Sequence, residues 1–196
     1  MDALTVSVVL LWLAVLALGL VLWALSRQVG VLFERVAPMG ALVTDAGPAV
    51  GEPSPSFSLR GIQSEPVTIG GPADKATLVF FLSPGCPVCK KLIPVLKALE
   101  RDERRSVAVV LASDGEKAEH LRFVAEQGLG KLPYVLSTEL GMSYRVSRLP
   151  DAVLLDRGGM VAAKGLVNSR EQLDSLLEAH ALGVPTIQQY IDRQAA

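Results

Sequence analysis

The chain has 196 residues, room for one ordinary domain plus appendages. Half of it is hydrophobic, one residue in five is charged and the net charge is −1. This excludes a disordered chain and leaves no basic footprint for nucleic acid. Two cysteines, Cys86 and Cys89, are the whole complement. They are too few and too close for a disulfide-stapled scaffold, so the pair points to chemistry rather than stability.

Residues 1–3 form a short N-terminus. From Leu4 to Leu25 the chain carries no charge. As a helix this run spans roughly 33 Å, enough to cross a bilayer core. Trp23 stands near its end, where an interface aromatic belongs. A cleaved signal would need a charged leader and a shorter apolar core, so an uncleaved single-pass anchor over 4–25 is expected. Arg27 and Arg35 follow the run and no Lys or Arg precedes it. That pattern alone places the remainder of the chain in the cytoplasm. Residues 26–49 read as a juxtamembrane segment and linker. Val29, Leu32, Phe33 and Val36 keep helical spacing, and Pro38 is expected to end that helix. Thr44–Ser58 is rich in proline and glycine and reads as an extended entry.

Residues 50–181 then alternate in period. Pro66–Ile69 is extended. Thr77–Leu82 is a continuous apolar run, the pattern of a buried strand. Pro87–Glu100 is a helix with Leu92, Val95, Leu96 and Leu99 on one face. Ser106–Ala112 is a second buried strand, and Glu116–Gln127 an amphipathic helix stopped by Gly128. Tyr134–Leu136 is a short strand and Glu139–Tyr144 a short helix. Ala152–Asp156 and Met160–Lys164 pair as a hairpin across Arg157-Gly158-Gly159. Arg170–Ala181 closes the domain with Leu173, Leu176 and Leu177 inward, and 182–196 is a tail. This order describes a three-layer α/β/α domain behind a transmembrane helix, with the cysteines at the first strand–helix junction. The carboxyl ends of strands are where such sheets place their chemistry.

The junction reads Ser83-Pro84-Gly85-Cys86-Pro87-Val88-Cys89-Lys90-Lys91. A thiol reacts as its thiolate, and free N–H groups at a helix start favour that form. Pro87 suits the first helical position, where its missing N–H is not needed. Cys86 is then the exposed attacking sulfur. Cys89, one turn on, resolves a mixed disulfide at Cys86 and releases the partner. Half a zinc site is the bland alternative. It would need two more ligands, and only His120 and His180 exist, each on a helix far along the chain and read as a surface or core-edge histidine. No metal or other cofactor is expected. A peroxidase would need a proline where Val79 stands.

The stretch VGEPSPSFSLRG…TLVFFLSPGCPVCKKLIPVL resembles the membrane-tethered thioredoxin-like proteins of the redoxin group. The anchor with RQVGVLFERVAPMGAL after it, and YRVSRLPDAVLLDRGGMVAAKGLVNSREQLDSLLEA, resemble the MauD family of methylamine utilization accessory proteins over nearly the whole chain. The resemblance implies a thioredoxin-like fold and a thiol–disulfide oxidoreductase or isomerase without a cofactor. Its implied client is the methylamine dehydrogenase small subunit, a periplasmic, disulfide-dense chain bearing a tryptophan-derived quinone. A further redox partner must recycle the dithiol. In that fold Pro150 is cis, and Leu149 and Pro150 border the partner groove with Pro87 and Val88. The implied client places the domain in the periplasm, outside the inner membrane and against the two-arginine pattern. Disulfides persist there, so the client outweighs the arginines. Many thioredoxins have Trp where Gly85 stands and a buried acid where Phe80 stands. These departures weigh against a general reductant; a thiol reductant for cytochrome c assembly stays an alternative, with the missing acid at Phe80 counting against it. A chaperone-like holding module, with the cysteines secondary, is the alternative of another class.

Overall fold

The computed structural model describes residues 2–35 and 47–181. Its first unit is one helix, α1 (Ala3–Arg35). The stretch Ala3–Trp23 has a mean hydropathy of 2.7 and none of it is buried. A helix this long and apolar is a candidate membrane span. The helix runs past Leu25, as the spacing of Val29, Leu32 and Phe33 suggested. Pro38 and the tail 182–196 lie outside the described residues.

The second unit holds the remaining elements. They are β1 (Phe57–Arg60), β2 (Pro66–Ile69), β3 (Ala76–Phe81), α2 (Pro87–Asp102), β4 (Val107–Ser113), α3 (Lys117–Gln127), β5 (Tyr134–Leu136), α4 (Thr138–Ser143), β6 (Asp151–Leu155), β7 (Val161–Leu166) and α5 (Arg170–Ala181). Five strands make one sheet in the order β5-β4-β3-β6-β7. Strands β3, β4 and β5 run parallel, and β6 and β7 run antiparallel to their neighbours. Strand β1 begins inside the stretch read as an extended entry, Thr44–Ser58, and runs two residues beyond it. Its four residues alternate half-buried and exposed, a period too short to separate from linker. It exists because it pairs with β2 as a hairpin.

Strand β3 is buried at every position, so its own pattern shows no face. Its pleat still sorts the side chains. Leu78, Phe80 and Leu82 pack with Leu92, Leu96, Phe123 and Leu173, which puts α2, α3 and α5 on one face. Val79 and Phe81 pack with Ile69, Leu140 and Tyr144, which puts the β1–β2 hairpin and α4 on the other. The sheet is thus the middle layer of three. Helix α2 follows β3 directly, so its first turn stands at the carboxyl edge of the central strand.

Both edges of the sheet are tied by the chain that precedes it. Gly51 donates to Val161 O and Val161 N donates to Glu52 O, beside a bridge between Pro53 and Met160 on the β7 side. Gly61 bridges Val135, and Ile62 N donates to Tyr134 O on the β5 side. The β6–β7 turn is closed at Gly159, whose φ is +80°. A Cβ there would lie 2.4 Å from the Gly71 nitrogen, so the turn accepts only glycine.

Candidate active site

The loop Ser83-Pro84-Gly85 carries the chain from β3 into α2. Cys86 is the N-cap residue, with extended backbone at φ −83° and ψ 113°. Its own N–H is used by Ser83 O at 3.0 Å. Its sulfur accepts the Cys89 N–H at 3.1 Å. A sulfur therefore does the work that a Ser or Asp oxygen does at most helix starts. Pro87 follows at the first position and removes one N–H that would otherwise lack a partner.

The two sulfurs occupy different surroundings. Cys86 is half-buried and both thiols are free. Cys89 is fully buried against the α2 side of the core. Burial pushes the Cys89 thiol up to about 12, and the hydrogen bond and charge of Cys86 add to the rise. A backbone hydrogen bond from Ser83 works the other way. Cys89 is therefore a protonated thiol at neutral pH, which makes Cys86 the sulfur able to meet a partner.

The sheet register brings Leu149 and Pro150 to the same rim. Phe81 pairs with Asp151, so Pro150 stands level with Leu82, at the root of the cysteine loop. The Leu149–Pro150 bond is cis, as the resemblance implied, and Val167 N donates to Pro150 O. Leu149 and Pro87 are exposed, Val88 is half-buried against the core, and Pro150 is buried. Lys90 and Lys91 are exposed. A cavity of about 470 Å³ opens beside Leu149. Leu82, Ser113, Met142, Arg145 and Arg148 line it. Among the described residues, no cluster of three metal-ligating side chains occurs.

One expectation is corrected. His120 was read as a surface or core-edge histidine, but only 1% of it is exposed. Its Nδ1 meets the Tyr134 hydroxyl at 2.7 Å and its Nε2 meets Asp114 O at 2.8 Å. The signal was present: His120, Phe123 and Val124 form the buried stripe of α3 at i, i+3 and i+4. The side chain of His180 lies outside the described residues. Burial raises the Tyr134 hydroxyl above its ordinary value, Ser113 opposes that rise through a hydrogen bond, and Cys89 adds a further rise through its charge. Phe80, in the place where thioredoxins carry an acid, is fully buried in the same core as Cys89.

The thioredoxin-like domain family matches residues 62–181. The methylamine utilization protein MauD of Methylorubrum extorquens is 48% identical over 193 residues, covering 97% of this chain and 93% of that protein. The MauD protein of Paracoccus versutus is 45% identical over 191 residues, covering 97% and 96%. Among solved structures, a Chlorobium tepidum protein carrying the provisional name thiol:disulfide interchange protein DsbE superposes with a TM-score of 0.61. It is 17% identical and covers 68% of this chain and 99% of its own. The last likeness is one of fold. The chain belongs to the MauD family of methylamine utilization proteins, and its globular part is a thioredoxin-like domain of the thiol–disulfide oxidoreductase kind.

Proposed function

We propose that this protein is a membrane-anchored thiol–disulfide oxidoreductase or isomerase that forms or rearranges disulfides in the methylamine dehydrogenase small subunit. The observation that carries the reading is the unequal pair at the start of α2: a half-buried Cys86 sulfur capped by an N–H, and a buried Cys89 held as a thiol. Cys86 forms the mixed disulfide with the client and Cys89 resolves it. Leu149, Pro150, Pro87 and Val88 border the groove that receives the client chain, and the cavity beside Leu149 extends that groove. The family membership supplies the methylamine setting. The candidate span supplies the anchor in the inner membrane, with the domain on the periplasmic side. A separate redox partner returns the pair to its working state.

The test is a trap. Cys89→Ser is introduced into cells making the whole methylamine system, and whatever remains disulfide-linked to Cys86 is identified by mass spectrometry. Capture of the dehydrogenase small subunit supports the reading and requires a periplasmic domain. Capture of a cytochrome-assembly protein, or of nothing, sinks it. A client that still matures normally when both cysteines are replaced by serine would instead favour a holding module.

A further inference from the structure

Between α4 and the cis bond the chain reads Tyr144-Arg145-Val146-Ser147-Arg148-Leu149. Arg145 and Arg148 both line the cavity beside Leu149, and both are exposed. Asp114 lines it too, so two guanidinium groups against one carboxylate leave an excess of one positive charge. Arg101, Arg104 and Arg170 each meet a carboxylate near them in sequence. Among the described residues, no such ion pair engages Arg145 or Arg148. The cavity also adjoins the dithiol. Phe81 and Leu82 line it, and Ser113 Oγ donates to Leu82 O at 2.7 Å. Leu82 is the last residue before the cysteine loop, so one short stretch of chain serves both the cavity and Cys86.

The backbone at Arg145 is a second, independent sign. Two helices of this domain end in the same hydrogen-bond pattern. After α3, Gly128 N donates to Ala125 O and Leu129 N to Val124 O. After α4, Arg145 N donates to Met142 O and Val146 N to Gly141 O. The residue that closes this pattern takes left-handed backbone, with φ +59° at Gly128 and +51° at Arg145. Glycine adopts that conformation freely, whereas a residue with a Cβ is strained by it. The chain therefore uses glycine at one helix end and bears a backbone cost at the other. What that cost retains is a guanidinium beside the cavity.

We propose that Arg145 and Arg148 form a carboxylate-recognising subsite, and that the client segment reaching Cys86 carries Asp or Glu close to its reactive cysteine. The inference rests on the reading of Cys86 as the sulfur that meets the client. A guanidinium presents a planar fork of donors that matches a carboxylate, and two of them on one wall can share it. Met142 and Leu149 are exposed at the same cavity and offer apolar contact to the stem of that side chain or to its neighbour. Lys90 and Lys91, exposed at the start of α2, add charge of the same sign near the dithiol. Such charges select a partner and speed its encounter more than they alter the chemistry that follows. The recess adjoins the dithiol, where the client must come, and this favours a client carboxylate over a lipid phosphate.

The test uses the reduced full-length protein in micelles of an uncharged detergent. Its substrates are short peptides with one cysteine, flanked on both sides by Glu or by Gln, and activated as a disulfide with neutral thiopyridine. The Cys86 thiolate attacks the peptide sulfur, the new disulfide forms, the old one breaks and coloured thiopyridine leaves. Each rate is divided by the same peptide's rate with 2-mercaptoethanol, and the readout is the ratio of Glu to Gln. The parent should prefer Glu by about fivefold at low salt, and less as salt rises. Arg145→Gln with Arg148→Gln should bring the ratio close to one, while Arg157→Gln, the same charge change at the far end of β6, should keep the parent ratio. Arg145→Gly should raise the urea midpoint and still lower the ratio, which a purely structural arginine would not do. A parent without preference, a preference that survives the double variant, or an unchanged ratio in Arg145→Gly overturns the subsite. Equal Glu and Gln rates that both fall on adding phosphatidylglycerol, in the parent and not in the double variant, would assign the arginines to lipid headgroups and overturn it as well. No thiopyridine release from any peptide overturns the dithiol reading itself, so the two failures are separable.

Discussion

The Cys89 amide donates to the Cys86 sulfur across 3.1 Å, so one member of the pair caps the helix through the other. The bond is strongest when Cys86 is a thiolate, because charge-assisted hydrogen bonds exceed neutral ones. The same contact works against Cys89, whose own ionisation would place a second negative sulfur beside the first. Burial of Cys89 and this hydrogen bond together separate the roles of two identical side chains.

Labelling follows from that separation. Iodoacetamide at pH 7 should give one adduct on the native reduced protein, at Cys86, with Cys89 modified only after denaturation. Peptide mass spectrometry reads this directly, and a Cys89 adduct in the native state would contradict the burial argument. The pH dependence of stability has the same origin. The Cys89 thiol lies at about 12 folded against 9.0 for an ordinary cysteine. A raised value means the stabilisation is whole below pH 9 and is lost as pH rises from there toward 12. Denaturant midpoints of the reduced protein should fall across that window, and Cys89→Ser should remove this part of the fall.

Asp151 offers a second titration of the same sign in a lower pH window. It follows Pro150 and is partly buried. Burial raises its carboxyl above the usual range, against lowering by the Ala152 N–H and by Lys164. A raised carboxylate costs stability once pH exceeds the unfolded value and costs nothing where both states are protonated. Asp151→Asn can keep the oxygen that accepts from Ala152 N at 2.9 Å. Its Tm should exceed the parent's at pH 7, with the gap closing below about pH 3. A Tm below the parent's at pH 7 would show that the Lys164 attraction wins.

How much of this was legible in the sequence depends on periodicity and distance along the chain. The helices α2 and α3 and the strand β3 declare themselves by apolar spacing, and Cys86-Pro87-Val88-Cys89 by its position between them. The cis bond before Pro150 followed from resemblance alone. Strand β1 was hidden because four residues cannot display a period and its partner lies across a turn. The His120–Tyr134 contact was hidden for a different reason. The two residues sit on separate elements, α3 and β5, and only the crossover that stacks α3 over the sheet brings them within 2.7 Å.

Gly159→Ala should destabilise the domain by about 2 kcal/mol or more, since alanine resists a positive φ and its Cβ would strike the Gly71 backbone. Urea midpoints should drop while Cys86 is alkylated by iodoacetamide at the parent rate, because the turn is at the opposite end of β6 from Pro150. An unchanged midpoint would mean the two backbones can part without cost.

The span Ala3–Trp23 predicts behaviour in membranes. The full chain should stay with the membrane pellet after alkaline carbonate washing, and a chain starting at Gly47 should move to the supernatant. Release of the full chain by carbonate would reduce the helix to a peripheral attachment.

The ties at Gly51–Pro53 and Gly61–Ile62 also bear on how the sheet meets other chains. An exposed sheet border is a template on which another extended chain can add itself and start an aggregate. Here each border of the five-stranded sheet is occupied in part by the protein's own entry segment. Each such tie leaves less of the border open for a foreign strand to pair with.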